Sequence, residues 1–305
     1  MGSVVFAADL GGTNLRMAAV QQDGCVLHIA RAATPNDVSP QQLLDLAAKM
    51  AAECRAAIDS SHEICGVAFA SPAPAAKNSD GILSKLPNLP SLNGMNLPSG
   101  LSDMLGLPVT LENDATAAAI GEHWIGASRG TNNSIVVTLG TGVGGGLIVD
   151  GQPFRGIDGT AGEIGHICVE PDGHPCGCGS HGCIEQYASA TAIIRMANEL
   201  GLKVSTAKAV YDAAKSGDGK ALAVFESMGR YLGIILAGLI NTLNPEIIVI
   251  GGGVAAGMDA FADHIEAEIS FRAFREPATR VRIVPTKLSD MAGILGVAKS
   301  AFDQN

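Results

Sequence analysis

Positive charge is scarce in this chain: 20 Lys and Arg stand against 30 Asp and Glu among 305 residues, and the formal net charge is −10. That balance gives no general attraction to nucleic acid or to an anionic membrane surface, so an anionic ligand must be bound at a local site. A secretory signal is also missing, because Met1-Gly-Ser-Val-Val-Phe-Ala-Ala-Asp9 has no basic segment ahead of a long apolar stretch. The longest apolar run, Tyr231 to Leu243, contains Gly233, Gly238 and Asn241; it is too short to span a bilayer and reads as a buried core helix. A cytoplasmic protein with neither membrane nor nucleic-acid partners is expected. Two familiar nucleotide motifs are absent as well. There is no G-x-x-x-x-G-K-[ST], and no G-x-G-x-x-G opens a helix after the first strand, which excludes P-loop and Rossmann proteins.

What the chain does have is apolar residues, 47%, and 38 glycines, with only 16% charged residues: the composition of a globular protein with many tight turns. A length of 305 residues predicts two domains, since single cores stop growing near that size. Residues 4–10, Val-Val-Phe-Ala-Ala-Asp-Leu, read as a buried strand running into Gly11-Gly12-Thr13, and a second strand over 15–20 completes a hairpin. The pattern recurs as strand 134–139, turn Gly140-Thr141-Gly142 and strand 144–149. A third strand, 247–250, ends in Gly251-Gly252-Gly253. The recurrence predicts two halves built alike. Helices are expected over 40–59, 115–125, 188–200, 207–216 and 220–242, strands over 64–70 and 109–112, and a loop over 71–100. Strand and helix alternate on both sides of Asp114, which places the domain boundary there.

A glycine turn after a strand lets backbone N–H groups converge on a phosphate without side-chain obstruction. One such turn is common in any α/β protein; three in one chain make a phosphate-binding signal. Asp9, directly before the first turn, either holds a hydrated Mg²⁺ beside the phosphates or caps the hairpin. Asn113-Asp114 sits where a strand meets an alanine-rich helix. Phosphoryl transfer to an alcohol needs a base near the attacking hydroxyl, and Asp114 is suitably placed. Its other reading is an N-cap; capping by Asn113 would leave Asp114 for chemistry.

Seven cysteines, an odd number, in a chain without an export signal favour metal or redox chemistry over disulfides. His166, Cys176, Cys178 and Cys183 form H-x₉-C-x-C-x₄-C, which suits a closed tetrahedral zinc site, with a redox cluster as the other reading. His174, His181 and Cys168 lie close by as substitute donors, while Cys25, Cys54 and Cys65 read as buried small hydrophobes. Glu163 and Glu185 flank the cluster. Closing the loop on zinc would bring both carboxylates near His166, where a rigid pair can accept hydrogen bonds from the vicinal diols of a sugar.

Thr160-Ala-Gly-Glu-Ile-Gly-His166 followed by Cys176-Gly-Cys-Gly-Ser-His-Gly-Cys-Ile-Glu185 resembles the signature of the ROK family of repressors and sugar kinases. Asp9-Leu-Gly-Gly-Thr13, Glu112-Asn-Asp114 and Thr138-Leu-Gly-Thr-Gly-Val-Gly-Gly-Gly146 match its other motifs, in order, over nearly the whole chain. The resemblance implies an α/β protein with the actin-like ATPase (ribonuclease H-like) fold. Its two domains would comprise residues 1–114 plus 290–305, and 115–289, with a nucleotide and sugar cleft between them. It implies ATP- and Mg²⁺-dependent phosphorylation of a hexose 6-hydroxyl, with Asp114 as base and Asn88, Asn113, Glu163, His166 and Glu185 on the sugar. Asp9, Gly11, Gly12, Thr13, Gly140, Thr141 and Gly142 would serve the phosphates, and Gly251, Gly252 and Gly253 the adenosine side. Structural Zn²⁺ would sit on His166, Cys176, Cys178 and Cys183, with the other His166 nitrogen toward the sugar. A homodimer, or a tetramer, is implied too.

The long Thr138–Gly146 run and the Pro87-Asn88-Leu89-Pro90 loop look most like the family's glucokinase branch, so D-glucose is the expected hexose. An N-acetylglucosamine or N-acetylmannosamine kinase is the rival reading. A sugar-responsive regulator is a more distant one, because such regulators carry an N-terminal helix-turn-helix and the first strand here begins at Val4. The sequence departs from the family at Ala70-Ser71-Pro72-Ala73-Pro74, where members often carry Pro-Gly-Pro and then an acidic residue, so Ser71 replaces a glycine of the sugar-pocket wall.

Overall fold

The structure is a computed structural model that describes residues 2–35, 37–72, 81–83, 86 and 89–304. Asn88, expected on the sugar, lies outside the described residues, as do Ala73 and Pro74. The chain forms two compact units: residues 1–129, 153–161 and 291–305 make unit 1, and residues 130–152 and 162–290 make unit 2.

Unit 1 opens with the expected hairpin. β1 (Ser3–Leu10) and β2 (Asn14–Gln21) pair antiparallel with Leu10 opposite Leu15. Between them Gly11 N–H donates to Asn14 O at 2.9 Å. β3 (Val26–Ala33) extends the sheet; its His28 and Arg31 break the apolar pattern, so the sequence did not reveal it. α1 (Pro40–Ala57) starts at a capping box, in which Gln42 N–H reaches Ser39 Oγ and Ser39 N–H reaches Gln42 Oε1. β4 (Glu63–Ser71) runs parallel to β1, and its buried residues 66–71 show the continuous burial of a central parallel strand. α2 (Leu97–Leu105) begins inside the stretch expected as loop, where Asn96 Oδ1 caps it by accepting from Ser99 N–H at 2.9 Å. β5 (Val109–Asn113) lies parallel to β4 and leads directly into α3 (Asp114–Trp124).

Unit 2 repeats the plan. β6 (Ser134–Leu139) and β7 (Val143–Val149) form the second glycine-turn hairpin, followed by the two-residue β8 (Gln152–Pro153). Next come α4 (Glu185–Ala188), α5 (Ala190–Glu199), α6 (Ala207–Lys215) and α7 (Gly219–Leu243). β9 (Ile247–Gly251) and β10 (Arg282–Pro285) bracket α8 (Ala262–Arg272) and α9 (Arg275–Arg280). The helix expected over 188–200 is interrupted at Ser189, whose extended backbone and hydroxyl cap α5 through Ala192 N–H at 3.1 Å. α7 is long and apolar enough to cross a membrane, but Phe225, Met228, Leu232 and Leu236 are buried in the core of unit 2. Of the cysteines expected as buried hydrophobes, Cys54 is buried and Cys65 partly so, whereas Cys25 is exposed where β2 turns into β3.

The two sheets have strand orders β3-β2-β1-β4-β5 and β10-β9-β6-β7-β8. Each contains a long antiparallel hairpin whose first strand is joined on its other side by two parallel strands. The internal likeness seen in the glycine turns is therefore a likeness of whole sheets. The last helix, α10 (Ala292–Gln304), belongs to unit 1, where it packs on α3, β1 and β4. That packing explains why the change of unit falls after Arg129 and not at Asp114: α3 supplies Ala117 and Gly121 to the contact with α10 and stays with the first sheet.

Candidate active site and metal centre

Two of the three glycine turns meet at one cavity in unit 2. It has a volume of about 430 Å³ and is walled by Gly140 and Thr141 of the β6–β7 turn, Gly253, Val254, Ala256 and Gly257 after β9, and side chains of α5, α6 and α7. Gly142, Gly251 and Gly252 are not among the wall residues. Gly252 instead fits against β6, since a Cβ there would lie 2.4 Å from Leu139 O. The α6 side of the cavity is held by Tyr211, whose hydroxyl donates to Asp259 Oδ1 at 2.8 Å while Lys215 Nζ meets Asp259 Oδ2 at 3.1 Å. Ile193, Tyr211 and Phe225 were not singled out from the sequence, where each is one more apolar residue at helical spacing.

In unit 1, Asp9 is paired with Arg16 across the hairpin, Nη2 to Oδ2 at 2.5 Å, next to the Gly11-Gly12-Thr13 turn. At the β5–α3 junction, Asn113 does the capping: its Oδ1 accepts from Ala115 N–H at 3.1 Å and Thr116 N–H at 3.0 Å. Asp114 opens the helix with an exposed side chain whose Oδ1 accepts from Ala115 N–H at 2.7 Å. Ser71 is fully buried and stands opposite Asn113 in the parallel register of β4 and β5.

The His-Cys loop in unit 2 brings its four expected ligands together, with all four donor atoms within 4.8 Å of one another. Cys176 Sγ lies 3.6 Å from His166 Nδ1, and Cys178 Sγ lies 3.7 Å from Cys183 Sγ. Tetrahedral Zn²⁺ with Zn–S near 2.3 Å separates its sulfur ligands by about 3.8 Å, so the donor set and its spacing fit that ion. Burial, then the neighbouring thiols, push the Cys183 thiol up to about 12, while the Ser180 N–H holds Cys178 below its ordinary value. His174, His181 and Cys168 stay outside the cluster; His174 Nε2 is engaged by Arg195 Nη1 at 2.6 Å.

Both flanking glutamates are next to the ligands. Glu163 Oε2 lies 3.9 Å from His166 Nε2, while the other ring nitrogen, Nδ1, is the one near Cys176 Sγ. Glu185 Oε1 is 3.9 Å from Cys176 Sγ, and its Oε2 accepts from Val143 N–H at 3.1 Å. The second contact was not foreseen: it ties a glutamate expected on the sugar to the β6–β7 turn. It requires glycine at 142, because a Cβ there would sit 2.4 Å from Glu185 Oε2.

The chain is similar to known proteins in sequence and in fold. The sequence pattern described as "ROK family" matches residues 5–303. The chain belongs to the ROK family. Among curated relatives in it, the glucokinase of Thermotoga maritima is 33% identical over 96% of both chains. That of Halalkalibacterium halodurans is 43% identical over 66% of this chain and 65% of its own length. Among solved structures, a ROK family glucokinase from Streptomyces griseus, in complex with glucose and AMPPNP, superposes with a TM-score of 0.83 at 30% identity, covering 98% of this chain and 99% of that one. The ROK chain described here thus has the actin-like ATPase fold, and its paired sheets are the two halves of that fold.

Proposed function

We propose that this ROK protein transfers the γ-phosphoryl group of ATP to the 6-hydroxyl of a hexose, D-glucose first, in the cytoplasm. The observation that carries the reading is the convergence of the Gly140-Thr141 and Gly253–Gly257 turns on one cavity of nucleoside size in unit 2, in a chain whose relatives include proteins named glucokinases. Donor phosphates would lie on backbone N–H groups of the glycine turns, with the nucleoside against Tyr211, Ile193 and Phe225.

The roles of the other residues follow from what each can do. Asp114 takes the proton of the 6-hydroxyl as that oxygen forms a bond to the γ-phosphorus; the bond from the γ-phosphorus to the bridging oxygen breaks and ADP leaves. Asn88, Asn113, Glu163, His166 and Glu185 hold sugar hydroxyls. Mg²⁺ near Asp9 would neutralise phosphate charge. Zn²⁺ on His166, Cys176, Cys178 and Cys183 would have no open position and would act by fixing the loop that presents Glu163, His166 and Glu185. Donation from His166 Nε2 to a sugar oxygen then leaves Nδ1 for the metal.

A coupled assay of purified protein with glucose, mannose, fructose, N-acetylglucosamine and N-acetylmannosamine tests the substrate. Turnover is expected with glucose. Inactivity on glucose together with turnover of an N-acetyl sugar would reject that choice in favour of the N-acetylhexosamine reading.

A further inference from the structure

The nine residues 153–161 belong to unit 1 although both their neighbours in sequence belong to unit 2. This excursion has internal order. Ala161 N–H donates to Arg155 O at 3.2 Å, and Asp158 Oδ1 accepts from Thr160 N–H at 3.2 Å and Thr160 Oγ1 at 2.6 Å. The side chain it sends into unit 1 is Arg155, whose Nε and Nη2 both donate to Glu112 Oε2, at 2.9 and 2.6 Å.

Glu112 is only 4% exposed, so the pair is a buried carboxylate neutralised by one guanidinium. Its other oxygen, Oε1, accepts from Asn113 N–H at 3.2 Å. Asn113 in turn caps α3, the helix that Asp114 opens. The contacts form one chain: Arg155 fixes the Glu112 carboxylate, the carboxylate holds the Asn113 backbone, and Asn113 sets the helix start that carries Asp114. Without Arg155, a carboxylate at this depth would turn toward water, release the Asn113 N–H and loosen the helix start.

We infer that Arg155 and Glu112 are positioning residues for the phosphoryl-transfer base, rigidifying the β5–α3 junction without touching the substrate. The inference rests on Asp114 as the base. Arg155→Met and Arg155→Lys are each assayed for kcat, for KM of sugar and ATP, and for thermal midpoint, with Asp114→Asn in parallel. In Arg155→Met, kcat falls by as much as roughly 100-fold, the cost of displacing a reacting group by about 1 Å, while sugar KM is little changed. Arg155→Lys recovers part of kcat, because one ammonium neutralises Glu112 but lacks the planar fork.

Should Arg155→Met fail to fold, the Lys variant decides: reduced kcat with unchanged KM supports the role, and full kcat overturns it. Loss of kcat and KM together, in step with thermal stability and without recovery by Lys, also overturns it. Asp114→Asn separates the two ideas. An active Asp114→Asn enzyme removes the base assignment itself, whereas an inactive one beside a fully active Arg155→Met removes only the positioning role.

Discussion

Asp114 is exposed at the first residue of α3, while Asn113 supplies two of the hydrogen bonds that cap the helix. Asp114→Asn keeps the shape and removes the basicity. Sugar binding, read by calorimetry, should persist, and kcat should drop by about 10²–10⁴-fold, the usual worth of a general base; full activity would refute the role. At the proposed zinc site, Cys183→Ala removes one of the four clustered donors from a buried position. The variant should purify with less than stoichiometric zinc by elemental analysis and show a higher sugar KM. Zinc uptake by the chelated protein must release protons, because the Cys183 thiol, pushed up to about 12 by burial, is neutral at pH 7 and has to become a thiolate. Metal affinity should therefore weaken as pH falls, measured by titration in buffers of different ionisation enthalpy. The clustering of His166, Cys176, Cys178 and Cys183 was legible in sequence because the four share one short loop with the residue types and spacing that suit a metal. The pairing of Arg155 with Glu112 was not, because the two are 43 residues apart and the Glu112-Asn-Asp114 motif does not point to Arg155.

α3 and α10 touch through small residues. A Cβ on Gly296 of α10 would lie 1.6 Å from Ala117 O of α3, with no flexible side chain to yield. Gly296→Ala should therefore destabilise the protein by about 1–3 kcal/mol despite the better helix propensity of alanine. Gly238 of α7 has the opposite setting: it is exposed, and a Cβ added there would have nothing within 4 Å. Gly238→Ala should stabilise by about 0.4–1 kcal/mol. Thermal midpoints of the two variants check the contrast; equal shifts of the same sign would refute the packing argument. Most element positions were readable from apolar periodicity and from caps such as Ser39 and Asn113. β3, and the split between α4 and α5 at Ser189, were not, since the first has His28 and Arg31 on opposite faces, which blurs its alternation, and the second depends on one extended residue.

For the molecule as a whole, unit 1 is assembled from three separate stretches of chain, and α10 comes from the far end of the sequence. Ile294, Leu295, Val297, Ala298 and Ala301 of α10 are all buried. Deleting residues 291–305 should abolish cooperative folding of unit 1, seen as loss of its hydrogen-exchange protection while the sheet of unit 2 stays protected. Protection of β1 and β4 in the truncated chain would contradict this. The sequence alone determined the recurring strand and glycine turn, the Asn113-Asp114 junction and the His-Cys cluster, because each depends on residue types at short, fixed spacing. Only the tertiary structure decided that α3 stays with the first sheet, that Gly140 and Gly253 share a cavity, that Glu185 reaches the β6–β7 turn and that Arg155 grips Glu112. Each of those is a contact between residues distant in sequence, set by how sheets and helices pack, and no local pattern encodes it.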